Sequence, residues 1–314
     1  MGMSTADLTN PIFNDETAAR EYLEAQRWPD AVSCPKCGSL DGITKMQGKS
    51  HRPGLFNCNT CRKPFSVTVG TVYERSHIPL HKWLLATHLM TASKKGMSAH
   101  QIHRMLGITY KSAWFMCHRI REAMDVKGTE PMGGNGGAVE ADETYIGTKA
   151  NHTKGQGSGH KMAVVTLVEH NGRARSFKVD KATAAEIVPI VRANVSKEAK
   201  LMTDEARWYW GVGKEFASHG RVAHKLGEYG RGEVHTNTVE GYYSIFKRGM
   251  KGVYQHCSER HLQRYLAEFD FRYSNRAKLG CSDKERAEKA LKGIVGKRLT
   301  YRRINERAEA ASLG

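Results

Sequence analysis

Polar and apolar residues alternate along Val139–Gly147, which reads Val-Glu-Ala-Asp-Glu-Thr-Tyr-Ile-Gly. Val139, Ala141 and Tyr145 share one parity with polar residues between them, the period-2 pattern of a strand. Asp142 stands in its middle. A carboxylate there either faces solvent or, if buried, must be paired, hydrogen-bonded or bound to metal. Downstream, the Val-rich run Met162–Val168 predicts a second strand, His170-Asn-Gly-Arg173 a hairpin turn and Ser176–Val179 a third strand. Thr183–Val195 predicts a helix that Pro189 should kink or break. Lys200–Thr203 is a fourth short strand ending at Asp204, and Trp208–Trp210 follow on an aromatic turn or helix. Val222-Ala-His224 is a candidate fifth strand, and Gly227–His235 a Gly-rich mobile loop. Asn237–Lys251 and Ser258–Asn275 read as helices. Ser282-Asp-Lys-Glu285 is a capping box for a last helix through Val295.

Upstream, Ala18, Tyr22 and Leu23 fall on one face of a helix over Asn14–Arg27, with Asn14 or Asp15 as its cap. Leu80–Val126 reads as three helices. Ser98-Ala-His-Gln101 opens the second, and Gly107-Ile-Thr109 is a tight turn into the third, Tyr110–Met124. Helix, short Gly-containing turn, helix is the helix-turn-helix pattern. It sets Tyr110, Lys111 and Ser112 at the start of a recognition helix, with Arg119 and Arg121 expected to reach phosphates. The plainer alternative is an ordinary three-helix packing unit. Gly133–Gly137 reads as a flexible Gly/Asn hinge before the organising strand.

Composition sharpens this picture. Lys and Arg total 49 against 32 Asp and Glu over 314 residues, a net charge of +17. A charge that large favours a polyanion, and nucleic acid is the usual one. With 39% hydrophobic residues the chain can bury a sizeable core. No run of 18 or more apolar residues appears, so no membrane span is expected. Met1–Asn14 lacks a basic-then-apolar signal pattern, so a cytoplasmic, nucleoid-associated protein is expected. Seven cysteines in such a chain point to metal or free thiols rather than a disulfide framework. Four of them, Cys34, Cys37, Cys58 and Cys61, form two CxxC pairs twenty residues apart, the spacing of a zinc ribbon. Two tight knuckles deliver four thiolates to one structural Zn²⁺, with no position left open for catalysis. Lys36, Lys45, Lys49, Arg52, Arg62 and Lys63 surround the site.

Three acids stand at structured positions: Asp142 on the first strand, Asp204 at the end of a later one, and Glu240 in the first turn of a helix. Three strands, a helix, a strand and a further helix is the element order of a ribonuclease-H-like fold, in which carboxylates from adjacent strands and a helix converge. Converging carboxylates repel one another and need divalent cations, commonly two Mg²⁺, to coexist. Lys247 lies two helical turns after Glu240, so both project from one face. Glu143 is left out of the site because alternation turns it to the face opposite Asp142. His235 either touches substrate or is structural.

Cys34–Cys61, Val139–Gly147, Thr203-Asp-Glu-Ala206, His235-Thr-Asn-Thr-Val-Glu-Gly241, Lys247-Arg-Gly249 and His261–Asn275 together resemble bacterial insertion-sequence transposases with an ISXO-type DDE domain. The resemblance covers roughly Asn14 to Arg303. It implies a Mg²⁺-dependent enzyme that binds terminal inverted repeats, cuts at element ends and joins them to target DNA, as a homo-oligomer on DNA and with no membrane partner. Asp142 and Asp204 match the family's first two acids, and Glu240 with Lys247 its glutamate-plus-lysine signature. Some members have an asparagine as the third residue, and Asn237 occupies that part of the motif. Asn237-Thr-Val-Glu240 is also a capping box in its own right, so the third ligand stays open between Glu240 and Asn237. The expected chain is α+β in three parts: an N-terminal helix and zinc ribbon over 1–70, a helix-turn-helix over 71–132, and a ribonuclease-H-like mixed-sheet catalytic domain with C-terminal helices over 133–314.

Overall fold

The computed structural model describes residues 7–126, 128, 130–149, 157–223 and 230–300. These divide into two compact units, one holding residues 7–88, 99–123 and 287–300, the other 89–98 and 124–286.

In the first unit a 3-10 turn, Pro11–Phe13, precedes α1 (Glu16–Arg27). Asp15 caps α1 by accepting the Ala18 N–H at 2.7 Å, as expected of an Asp at that position. Strands β1 (Ile43–Lys45), β2 (Phe56–Cys58) and β3 (Lys63–Phe65) make an antiparallel sheet in that order. Phe56 stacks on Phe65 across β2 and β3, and Trp28 meets both rings edge-on. So small a sheet has little else to bury, which is why a metal is the usual staple for it. Gly38 and Arg62 each follow the second cysteine of a CxxC pair and both take positive φ, 77° and 53°. The two knuckles therefore have matching backbone turns.

Helices α2 (Leu80–Ala92), α3 (Ala99–Leu106) and α4 (Tyr110–Met124) follow the predicted bounds closely. The Thr109 hydroxyl accepts the Ser112 N–H at 3.2 Å and so caps α4. Gly107 carries the turn between α3 and α4 at φ 59°, which a side chain would strain.

The second unit is built on a five-stranded mixed sheet: β4 (Ala138–Ile146), β5 (Met162–Glu169), β6 (Ala174–Val179), β7 (Lys200–Thr203) and β8 (Ser218–Arg221). Their spatial order is β6-β5-β4-β7-β8. β4, β5 and β6 pair antiparallel, whereas β4–β7 and β7–β8 pair parallel. β4 is thus central. The fifth strand lies immediately upstream of the Val222-Ala-His224 stretch expected for it, and His224 lies outside the described residues, as do residues 227–229 of the Gly-rich loop.

One face of the sheet, with Val139, Ala141, Val165 and Leu201, packs on α5 (Ala184–Asn194) and α6 (Trp208–Gly213). α5 runs unbroken through Pro189, so the expected break does not occur. The other face, with Ile146, Met162, Val164 and Val168, packs on α7 (Asn237–Gly249) and α8 (Leu262–Ser274). A π-helical turn, Met250–Tyr254, follows α7. α9 (Asp283–Lys292) starts with the predicted capping box, Ser282 N donating to Glu285 Oε2 and Glu285 N to Ser282 Oγ. Gly133–Gly137, expected as a flexible hinge, forms a hydrogen-bonded turn, Gly137 N donating to Gly133 O at 3.1 Å. Gly133 has φ 76°, and a Cβ there would lie 2.6 Å from Ala199 and Val139 side-chain atoms. Among the described residues no helix is long and apolar enough to cross a membrane.

Candidate active site

The register of β4 positions the acids. β7 pairs with β4 only from Ala138 to Ala141, the last pair being Ala141–Thr203. Beyond that pair the β7-side edge of β4 is open, and the residue after Thr203 is Asp204. Asp142 and Asp204 therefore meet where the parallel pairing stops. Glu143 joins them: one carboxylate oxygen from each of Asp142, Glu143 and Asp204 lies within 4.8 Å of the others. This corrects the exclusion of Glu143. Alternation does turn its Cα to the opposite face, and its neighbours there include Tyr209, whose hydroxyl donates to Glu143 Oε2 at 3.1 Å. With β7 ended, no strand stands between the two faces, and the longer Glu side chain reaches the edge.

The trio is electrostatically strained. Burial, then the charges of Glu143, Asp204 and Glu240, push the Asp142 carboxyl up to about 8. Burial, then the Asp204 charge, pushes Glu143 up to about 7. The Glu143 N–H donates to Asp142 Oδ1 at 2.7 Å, and the Ala206 N–H to Asp204 Oδ1 at 2.9 Å. Three hard oxygen donors with mutual repulsion are a donor set that suits Mg²⁺.

Helix α7 supplies the remaining predicted residues. Its N-cap is Thr236, one residue before the expected Asn237, and the Thr236 hydroxyl reaches Glu240 Oε1 at 3.4 Å. Asn237 and Glu240 are exposed. Glu240 stands outside the tight trio, yet its charge contributes to the rise at Asp142. The Tyr243 hydroxyl donates to Asp142 O at 2.6 Å, and Lys247 Nζ lies 5.8 Å from the centre of that tyrosine ring. Tyr243 thus ties α7 to the acid-bearing strand, a link that no sequence pattern announced.

In the other unit the Sγ atoms of Cys34, Cys37, Cys58 and Cys61 lie within 4.8 Å of one another, a closed soft donor set that fits zinc. Lys36, Lys49, Arg52, Arg62 and Lys63 are exposed around it. Tyr110 and Lys111 are exposed at the start of α4, and Ser112 is half-buried there. Tyr110 stacks on His100 at 4.2 Å. Arg119 and Arg121, by contrast, are only 5% and 2% exposed. Arg119 donates to Glu74 O and lies over the Trp83 and Phe115 rings. These two arginines serve the interior of the helical packing and do not present a phosphate-binding surface.

Residues 135–274 match the ISXO2-like transposase domain family, and residues 14–64 match the transposase zinc-ribbon domain family. The chain thus carries a transposase zinc-ribbon domain followed by an ISXO2-like transposase domain. A relative from Halobacterium salinarum, described as an uncharacterized protein in transposable element ISH50, is 28% identical over 277 residues. That match spans 83% of this chain and 91% of the relative. The transposase domain contains the whole acid-bearing sheet from β4 to β8, and the zinc-ribbon domain contains all four cysteines.

Proposed function

We propose that the chain is an active DDE-type transposase that binds terminal inverted repeats, cleaves DNA at element ends and joins the exposed 3′-hydroxyl to target DNA. The observation that carries this reading is the convergence of Asp142, Glu143 and Asp204, where burial and the neighbouring carboxylates push Asp142 up to about 8. Asp142 and Asp204 with Glu240 would hold two Mg²⁺, with Asn237 as the alternative third ligand. The ions, when bound, polarise the scissile phosphate and activate water or a 3′-hydroxyl for attack. Glu143, held by Tyr209, adds negative charge at the same edge. Tyr243 fixes the backbone of Asp142 and with it the direction of that carboxylate. Lys247, on the same face of α7 as Glu240, would hold a DNA phosphate beside the acids.

End recognition is assigned to the part before Gly133. Exposed Tyr110 and Lys111, with Ser112, would meet DNA from the start of α4, and the basic ribbon, closed by one structural Zn²⁺, would meet the backbone. An element has two ends to be joined, so a homo-oligomer on DNA follows from this reading. The test is strand transfer with Mg²⁺ on a labelled terminal repeat, together with a gel shift. Asp142→Asn and Asp204→Asn should abolish joining and keep end binding. Joining by either variant at the wild-type rate would overturn the proposal. A DNA-binding regulator without catalysis would instead shift the repeat and never join it.

A further inference from the structure

Two residues before Asp142, on the same face of β4, lies Glu140, whose side chain is fully buried. Two imidazoles converge on one of its oxygens. His170 Nε2, from the β5–β6 turn, lies 2.5 Å from Glu140 Oε1, and His235 Nδ1, from the approach to α7, lies 3.0 Å from the same atom. The other oxygen, Oε2, accepts the Val239 N–H at 2.7 Å, in the first turn of α7. The two rings lie nearly parallel, 4.6 Å apart. His235 Nδ1 is buried and makes no hydrogen bond despite this proximity. One nitrogen or oxygen from each residue lies within 4.8 Å of the other two.

We propose that Glu140, His170 and His235 form a second transition-metal site of the zinc class, separate from the ribbon and from the carboxylate trio, which fastens the start of α7 to the central strand. Two imidazoles and one carboxylate are a borderline-soft set that suits Zn²⁺ and disfavours Mg²⁺. An ion about 2.0–2.2 Å from each donor would satisfy the orphaned His235 nitrogen and relieve the crowding of two rings on one oxygen. The Val239 N–H holds the second carboxylate oxygen and leaves Oε1 as the ligand atom, the role of an outer partner that orients a ligand. The imidazoles are 23% and 27% exposed, so the site has a route for the ion and room for a water as fourth ligand. Three segments far apart in sequence would then be joined at one point. The segment from Thr236 to Glu240 carries both candidates for the third active-site residue, so the ion would set their distance from Asp142.

The inference does not depend on catalysis, and its test reads metal directly. Full-length protein is stripped with chelator, saturated with Zn²⁺, desalted and counted by mass spectrometry. Wild type should hold about two zinc ions per chain, one for each complete site. His170→Ala, His235→Ala and Glu140→Gln should each hold about one, and Asp142→Asn should keep both. Cobalt substitution distinguishes the sites. The thiolate-to-cobalt charge-transfer band, which belongs to the ribbon, should persist in His235→Ala, and the visible bands of the nitrogen–oxygen site should vanish. Zn²⁺ should raise the melting temperature of wild type more than that of His235→Ala. One zinc in saturated wild type would overturn the proposal whatever the variants do. So would two zincs in both His variants, or loss of one in Asp142→Asn, which would assign the second ion to the carboxylate trio.

Discussion

Glu140 and Asp142 stand two positions apart on one face of β4, and their surroundings are opposite. Glu140 is fully buried and surrounded by compensation: an amide at the start of α7 and two imidazoles. Asp142 has as neighbours Glu143, Asp204 and the charge of Glu240, and burial together with those charges pushes it up to about 8. The same strand thus carries one acid set among an amide and two imidazoles and one set among like charges. Glu140, held by the amide at the start of α7, fastens that helix to the strand beside donors suited to a softer ion, and Asp142, among carboxylates at an open strand edge, suits hard cations.

Removing the uncompensated charges should have the largest effect. Asp142→Asn and Asp204→Asn should lower strand transfer by roughly a hundredfold or more, the scale for deleting one preorganised electrostatic group. Melting temperature should hold or rise, because a member of a mutually repelling trio is gone. A large loss of stability with joining retained would reverse the roles assigned to Glu140 and Asp142.

Glu240→Gln asks on which side of the contrast the start of α7 falls. Gln keeps the shape and could still meet the Thr236 hydroxyl, as in a capping contact. If Glu240 is a ligand, loss of its charge should collapse joining while folding and end binding persist, since hard cations prefer anionic oxygen. Near-wild-type joining by a folded Glu240→Gln would move the third role to Asn237, and Asn237→Ala should then be the inactive variant.

On the compensated side, Glu140→Ala should chiefly cost stability. It strips the buried Val239 N–H of its acceptor, at roughly 1–3 kcal/mol, and removes the His170 contact. Urea unfolding would measure it. A variant as stable as wild type would show that Glu140 does not fasten α7.

The sequence made these two acids unequally legible, for physical reasons. The ribbon was readable because its ligands are local: CxxC spacing alone brings each pair of thiols together. β4 and the position of Asp142 were readable from alternation, and Asp204 from the end of a short strand. Glu143 was not, because alternation reports the face of the Cα and says nothing about a neighbouring strand that stops at Thr203. The Glu140–His170–His235 cluster was hidden for a related reason. A hairpin turn and a helix start meet a strand only through sheet order and the packing of α7. Arg119 and Arg121 were misread because a charge on a helix is taken as solvated. Arg119 is instead accommodated by a carbonyl and by aromatic rings from neighbouring segments. Pro189 was expected to kink or break a helix that runs on without a break, Ile187 and Val191 being buried on either side of it.

A third acid, half-buried Asp270 on α8, stands between the two extremes and gives the smallest predicted effect. It accepts from Ser176 N and Ser176 Oγ, both at 2.7 Å, and from the Tyr242 hydroxyl at 2.6 Å, all neutral donors. Burial nevertheless prevails over those hydrogen bonds and pushes its carboxyl up to about 6. Below the unfolded value near 4, Asp270 is protonated in both states and its contribution to stability is fully present. As pH rises from about 4 to about 6 the unfolded chain releases the proton and the folded chain retains it, so this contribution is lost; above about 6 the loss is complete. Asp270→Asn cannot titrate. The stability of wild type relative to Asp270→Asn should therefore fall by about 2–3 kcal/mol between pH 4 and pH 6 and then level off. Unfolding of both proteins across that range would check it. A difference that grew with pH would mean that the three neutral donors outweigh burial at Asp270, and the contrast between acids in this fold would then owe more to hydrogen-bond number than to charge.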